Sequence, residues 1–425
     1  MDITTIGRRI NDVVYARSRE EPVILLDGPR ASGKSTALHL LAARYQTVVF
    51  DLDDQPIRDD AARDPGFYTR PRPSTKSGMV LIDEYQRVPA ILDAIKERMN
   101  VSCRPGQFIL TGSTRHNALP GSVQSLTGRL HRMEIYPFSQ SEMAGTQPDL
   151  IAKLIADPAG TVERIREKPH TETREGYAAR ITKGGFPLAV QREGTARNRW
   201  FDNYLRQIVE RDIPGVARIR NKRGLSALLR YVAAQTAQIL TVERAAAAAA
   251  IDFSTARDYL QLLEDVFMIY ELPAWGRTLR SIVGAKPKIH ILDSGIASRL
   301  LGVTTEKLNA KEPSTLTEFG HLLESFTVTE IFKDLSWIDD TFLTGHWHTH
   351  DGKEVDFIIE THDGSVYGFE IKTGSRTVPD VFSGLSALRA FAGTAFKAGF
   401  VFYTGAQAFK AEDRIFVLPL SALWE

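Results

Sequence analysis

Apolar positions come in two rhythms along this chain. In the first third they form short unbroken runs of aliphatic and β-branched residues, at 22–26, 47–53, 79–84 and 107–113. Runs of that length predict buried strands of the kind found in α/β sheets. After the first run, Leu38, Leu40 and Leu41 predict the apolar face of a helix over 35–45. The acidic segment 53–64 follows no such pattern and is expected to be a surface excursion. From 139 to about 216 the spacing turns helical: Trp200, Tyr204, Ile208 and Arg211 recur every three or four residues, and 184–187 is a Gly-Gly-Phe-Pro break. The basic-acidic alternation of 206–213 reads as a solvated helix face without chemistry.

The second half repeats the helical rhythm and then returns to strands. A helix over 225–235 precedes Thr241 and six alanines at 245–250, small side chains that let helices pack closely. Asp252 and Ser254 then offer a cap for a helix over 254–264, followed by a β-rich 266–272. Helix, turn, helix, strand is the order of a winged helix-turn-helix. Further on, a helix over 319–330 carries Glu324 on a mostly apolar face. Strands over 352–360 and 366–373 flank a His-Asp-Gly turn at 362–364.

Size and composition narrow the class. At 425 residues the chain exceeds one core, since single cores stop growing at roughly 250–300 residues, and two to four domains are expected. Hydrophobic and charged fractions of 43% and 25% are those of an ordinary globular protein, which excludes disorder and fibrous architecture. Lys and Arg number 53 against 52 Asp and Glu, so a nucleic-acid partner would need a local basic patch. Cys103 is the only cysteine, which excludes an intrachain disulfide and a cysteine-based zinc cluster. No apolar run reaches the ~18–20 residues of a membrane helix, and the N-terminus lacks the apolar core of a signal peptide. The expectation is a cytoplasmic protein with no membrane partner.

Candidate chemistry begins where the first strand ends. Gly28, Pro29, Arg30, Ala31, Ser32, Gly33, Lys34 and Ser35 form a complete G-x-x-x-x-G-K-S, with Thr36 next on the helix. Phosphates need closely approaching backbone N–H groups, which glycine permits, and the positive end of a helix. In that arrangement Lys34 meets the β and γ phosphates and the Ser35 hydroxyl is a Mg²⁺ ligand. Asp83 ends the third run, at the carboxyl edge where nucleotide sites lie, and is the candidate metal acid. Glu84, one residue on, would point the other way and polarise the attacking water, or be a solvated strand-end acid. Thr111 or Ser113, at the end of the fourth run, is the candidate sensor of the γ-phosphate or water, or a strand-end hydrogen bonder.

Apolar strands punctuated by a phosphate loop, an acidic pair and a polar sensor resemble the AAA+ branch of P-loop ATPases. Gly28-Pro-Arg, Ile-Asp-Glu-Tyr-Gln-Arg-Val-Pro at 82–89, Leu-Thr-Gly-Ser at 110–113, Ser125-Leu-Thr-Gly-Arg129 and Tyr136-Pro-Phe-Ser are similar to a narrower set. It is the prokaryotic AAA-type ATPases that carry a C-terminal domain of unknown function. The resemblance spans nearly the whole chain, with Ala31 where the family usually has Gln. It implies ATP and Mg²⁺ as cofactors. It also makes Arg129 the candidate charge-stabilising arginine, in cis or from a neighbouring subunit of a homo-oligomer, against a surface or structural role.

The C-terminal strands add a second constellation. Alternation puts Glu370 and Lys372 on one strand face, with Asp356 near the bend of the preceding strand. Two carboxylates can hold Mg²⁺ and a lysine can orient water. The set resembles a restriction-endonuclease-like core, with Glu324 as its helix-borne acid. Cleavage of DNA, a DNA-binding shell and a structural ion-pair cluster all remain open. His346, His348 and His350 alternate on one strand and are expected to be solvated more than metal-bound. If the winged segment binds DNA, Thr255, Arg257, Tyr259 and Gln261 would read bases, with Arg277, Arg280, Lys286 and Lys288 on phosphates. Asp258, Glu264 and Asp265 on the same helix oppose that, and a protein-interaction module is the alternative. The expected fold is α/β: an AAA+ parallel-sheet domain over 1–138, a helical lid or linker over 139–222, a winged helix over 223–305 and an α/β restriction-endonuclease-like domain over 306–425. DNA is the expected partner.

Overall fold

In the computed structural model, residues 6–71, 78–115, 126, 128–217, 219–277, 285–310, 312–376 and 379–425 are described. Five strands near the N-terminus, β1 (Val23–Asp27), β2 (Val49–Asp51), β3 (Val80–Asp83), β4 (Phe108–Gly112) and β5 (Leu130–Glu134), pair in parallel. Their order is β2-β3-β4-β1-β5. All five residues of β1 are buried, and they alternate between two cores: Val23 and Leu25 face one, Ile24 and Leu26 the other. A strand covered on both faces needs an unbroken apolar run, which is what 22–26 supplies. The crossover that inserts β4 between β1 and β3 sets Thr111 beside both the phosphate loop and the acidic pair.

The acidic segment 53–64 lies at the surface, and part of it is helical: over Gln55–Arg63 only Ala61 is buried. A helix that shallow leaves too few apolar residues to show a period. On the helix Lys34–Tyr45, Leu38 and Leu41 are buried, whereas Leu40 stands 41% exposed.

Helices dominate 140–216, where a π-helical turn, Ile208–Asp212, links the helices Gly194–Gln207 and Ile213–Val216. Next come helices Lys222–Ala234, Val242–Ala248 and Phe253–Asp265, with a three-stranded antiparallel sheet. Its strands β6 (Gln238–Ile239), β7 (Ile269–Leu272) and β8 (Lys288–Ile291) lie in the order β6-β8-β7. The last sheet has six strands: β9 (Phe342–His348), β10 (Glu354–Thr361), β11 (Val366–Lys372), β12 (Phe396–Tyr403), β13 (Phe409–Glu412) and β14 (Ile415–Pro419). Their order is β13-β14-β12-β11-β10-β9. The 23-residue helix Pro313–Leu335 packs on this sheet. One apolar cluster joins Leu150, Tyr177, Leu225, Phe267, Phe319, Phe357 and Phe400, so the boundaries drawn at 222 and 305 are not gaps in packing.

Candidate functional site

The phosphate loop folds as the sequence leads one to expect, and its glycines are there for steric reasons. A Cβ on Gly28 would sit 2.2 Å from the Ile135 carbonyl oxygen, inside the β1–β5 contact. Gly33 has φ +95° and turns the chain into the helix Lys34–Tyr45. Ala31 also takes a left-handed φ of 62°, a conformation that costs a non-glycine residue on the order of 1 kcal/mol. Lys34 is 3% exposed, and its Nζ donates to the carbonyls of Gly28 (3.0 Å) and Pro29 (2.8 Å). Burial pulls its pKa down, against Glu84 and Asp83, which hold the charge on. Ser35 and Thr36 are exposed at the mouth of a cavity of about 430 Å³, whose far wall is apolar: Ile6, Phe138, Pro187 and Leu188.

The acidic pair is tied together by the inserted strand. Thr111 Oγ1 donates to Asp83 Oδ1 and accepts the Glu84 N–H at 3.3 Å. Asp83 is 1% exposed; burial pushes its pKa up, while hydrogen bonds from Ser35 and Thr111 pull it back. Strand alternation predicts Glu84 pointing the other way from Asp83, toward the attacking water. Glu84 has a left-handed φ of 54°, which turns its side chain back until Oε1 is 4.0 Å from Lys34 Nζ. Its Oε2 accepts from Ser113 Oγ at 2.7 Å and from Gln86 Nε2. Thr111 thus serves Asp83 and Ser113 serves Glu84. A buried carboxylate bonded to a serine hydroxyl is a hard-oxygen donor set, which fits Mg²⁺.

Sequence reasoning missed the residues that fasten the loop from outside. Arg8 is 9% exposed and donates to Ser32 O (2.7 Å), Tyr136 O (2.7 Å) and Glu142 Oε1 (3.1 Å). Burial lowers its pKa, and Glu142 opposes that. Arg30 pairs with Asp212 Oδ1 at 2.5 Å and Asp53 Oδ2 at 3.4 Å. An isolated arginine near the N-terminus gives no periodic signal, so Arg8 was invisible. Arg129 is not among these residues. It directly precedes β5, whose Leu130 pairs with Val23 at the amino edge of β1, opposite the phosphate loop, and it donates to Asn100 Oδ1 at 2.8 Å. A cis role is therefore closed to it. Ser125 and Thr127 of the same motif lie outside the described residues.

The C-terminal constellation also assembles, with an unexpected member. A register shift in the β9–β10 pairing between Val355 and Ile358 turns Asp356 inward, and its Oδ2 accepts the Ile371 N–H at 2.9 Å. Glu370 pairs with Lys372 through Oε1, and its Oε2 is buried with no partner among the described residues. Lys288, expected on DNA phosphates, is instead 5% exposed at the start of β8 and sits between Glu324 Oε1 (2.7 Å) and Asp356 Oδ1 (3.1 Å). Burial would strip its proton, but Asp356 and Glu324 outweigh burial and hold its pKa above the usual lysine range. Burial, then Asp356, lift Glu324 to about 8, and the same two causes lift Glu370 well above the carboxylate range. Three carboxylates, Glu324, Asp356 and Glu370, thus face two ammonium groups, Lys288 and Lys372. The space between Glu324 and Asp356 is filled by an ammonium group, so these residues as arranged do not fit a divalent cation. Among the described residues no group of three or more His, Cys, Asp or Glu is arranged to hold a metal ion.

Other candidates separate similarly. Tyr259 is buried, 6% exposed, and its hydroxyl accepts the Asn221 N–H at 3.2 Å, so it reads no base. Thr255 is half-buried and donates to Asp252 at the helix cap, while Arg257 and Gln261 are exposed. Lys286 is exposed, Arg277 donates to Phe391 O at 3.3 Å, and Arg280 lies outside the described residues. His346 is not solvated: it is 1% exposed, bonded to Lys286 O at 3.1 Å, and burial with Lys288 nearby brings its pKa down to about 4. His348 and His350 are exposed.

Comparison with known proteins bears on the N-terminal domain. Residues 20–144 match the AAA domain family; residues 174–307 and 319–423 match two domains of unknown function, DUF8612 and DUF4143. With the parallel sheet and the phosphate loop, this makes 20–144 an AAA-type P-loop ATPase domain, a nucleotide-binding class. The chain is 24% identical over 359 residues to an uncharacterised protein of Mycobacterium tuberculosis, covering 83% of this chain and 71% of that one. It is 25% identical over 307 residues to an uncharacterised protein of Haemophilus influenzae, covering 68% and 66%. A Walker-type ATPase of Pyrococcus abyssi superposes with a TM-score of 0.43 at 15% identity, over 70% of this chain and 96% of that one. The RuvB Holliday junction branch migration motor of Thermotoga maritima gives 0.30 at 18% identity, over 63% and 90%. No described helix is long and apolar enough to cross a membrane.

Proposed function

We propose that this chain binds and hydrolyses Mg-ATP and works as a nucleotide-dependent switch whose C-terminal half contacts DNA. The observation that carries the ATPase reading is the joint burial of Lys34, Asp83 and Glu84 at the phosphate loop, with Lys34 and Glu84 lining one cavity and Thr111 bonded to both acids. Lys34 neutralises the β and γ phosphates, Ser35 and Asp83 hold Mg²⁺, and Glu84 orients the water and receives its proton. The ion, held by Ser35 and Asp83, would supply neutralisation of the negative charge on the phosphates. Ile6, Phe138, Pro187 and Leu188 give the base an apolar slot. Phosphate release from ATP by the wild type, lost in Lys34→Ala, is the test; a wild type without nucleotide affinity sinks the reading.

For the C-terminal half we favour contact over cutting. A helix-turn-helix with a wing is supported by the order of helices and strands over 222–291, and its exposed Arg257 and Gln261 suit a polar DNA surface. The restriction-endonuclease-like reading is supported by Asp356, Glu370 and Lys372 on adjoining strands. Lys288 argues that this shell is ion-paired and does not cleave. The test is a DNA-binding assay beside a plasmid-nicking assay with Mg²⁺ and Mn²⁺: retained binding without nicking is expected, and nicking that disappears in Glu370→Ala would restore the nuclease.

A further inference from the structure

The phosphate loop carries an arginine of its own. Arg30 is half-buried and lines both the nucleotide cavity, with Lys34, Ser35 and Glu84, and a smaller one of about 110 Å³ lined by Gln86, Ser113, Ile208, Arg211, Asp212 and Val266 among others. It is held between two acids from opposite sides. Asp53 follows β2 and is shared with Arg87 at 2.8 Å; Asp212 closes the π-helical turn Ile208–Asp212. Asp212 Oδ2 is buried with no partner among the described residues, so Arg30 satisfies only half of that carboxylate. Single π-helical turns are uncommon and concentrate at functional sites.

We propose that Arg30 is the arginine that contacts the terminal phosphate of ATP in cis, and that Asp212 positions it. The assignment rests on the nucleotide reading given above. Two facts carry it: Arg30 borders the same cavity as Lys34 and Glu84, and Arg129, the alternative, stands at the opposite edge of the sheet. A phosphate group offers a planar guanidinium two parallel acceptors and more charge than one carboxylate, so bound ATP draws Arg30 from Asp212. During hydrolysis the water oxygen forms a bond to the γ-phosphorus and the bond from that phosphorus to the bridging oxygen breaks. ADP leaves with the electron pair, and the water proton goes to Glu84. Arg30 stays protonated and neutralises the equatorial oxygens. The change of partner at Asp212 tells the helical segment whether the nucleotide is ATP or ADP.

The experiment compares wild type, Arg30→Ala, Arg30→Lys and Asp212→Asn for ATP turnover, and by calorimetry for affinity toward ADP and toward ADP with beryllium fluoride, a stand-in for the terminal phosphate. Arg30→Ala is expected to bind ADP within about 3-fold of wild type, lose the added affinity from beryllium fluoride and lose about 10³-fold in turnover. Arg30→Lys recovers part of the affinity and less of the turnover, because a point charge replaces a fork. Asp212→Asn keeps ADP affinity and changes the ratio of the two affinities, which a merely structural residue would not alter. If Arg30→Lys and Arg30→Ala both turn over ATP at the wild-type rate, the assignment is overturned. If the wild type itself binds neither nucleotide, the nucleotide reading fails instead.

Discussion

Lys288 and Asp356, 68 residues apart in the chain, meet at 3.1 Å in the protein interior. The contact binds the small antiparallel sheet to the C-terminal sheet through charge, because Lys288 opens β8 and Asp356 lies on β10. It also changes the chemistry of the acids. A carboxylate pair around an ammonium group is a closed ion-pair cluster, and the desolvation of each member is offset only while all are present.

Lys288→Ala is therefore expected to destabilise the fold by about 3–5 kcal/mol, the range for stranding a buried charge. Lys288→Met combined with Glu324→Gln should recover much of that loss, since it removes the buried ammonium group together with one of the acids it faces. Denaturant unfolding of the single and double variants measures this. A Lys288→Ala protein as stable as wild type would mean that the pair is solvated in solution.

Lys34→Ala should abolish detectable turnover, a loss of at least about 100-fold, because its buried ammonium group lines the nucleotide cavity 4.0 Å from Glu84. Its thermal unfolding should move little by comparison, since Lys34 donates only to two loop carbonyls. Phosphate-release kinetics and a melting curve on the same sample separate the two effects.

Glu84→Gln should bind nucleotide as the wild type does and hydrolyse it about 10²–10⁴-fold more slowly. The amide oxygen still accepts from Ser113, so the local geometry survives while proton acceptance is lost. Turnover within 3-fold of wild type would return Glu84 to the status of an ordinary strand-end acid.

What was legible in the sequence was whatever depended on neighbours along the chain. The buried runs of β1, β3 and β4 and the loop between Gly28 and Ser35 are local patterns, and their roles follow from period and spacing. The left-handed φ of Glu84 was not legible, because neither spacing nor composition carries a sign of that turn. Lys288, Arg8 and Asp212 were misread or missed for a different reason. Each acts on a partner 24 to 182 residues away, and a lone charged residue reads the same whether it ends in solvent or in a buried pair. Tyr259 shows the converse: it was grouped with Arg257 and Gln261 as a base reader, but two residues on from Arg257 it falls on the other side of the helix and packs inward.

The long helix Pro313–Leu335 supplies a prediction that depends on pH. Asp334 is buried where this helix meets Ile151, whose N–H it accepts at 3.5 Å. Burial lifts its pKa to about 7; the Ile151 N–H and Arg9 pull it down, and Glu330 and Asp149 add to the rise. Lys333, next along the helix, is committed to Glu330 and to Phe138 O at 3.0 Å. The folded protein therefore holds a proton on Asp334 at pH values where the unfolded chain, with an ordinary aspartate pKa, has released it. Stability from this group is full below about pH 4 and is lost as pH rises toward about 7, by up to roughly 4 kcal/mol. Asp334→Asn keeps the shape and the acceptor for Ile151 and removes the titration. Its unfolding free energy should exceed that of wild type at pH 8 and converge with it near pH 4. Parallel curves for the two proteins across that window would show that Asp334 is ionised in the fold and that burial does not control it.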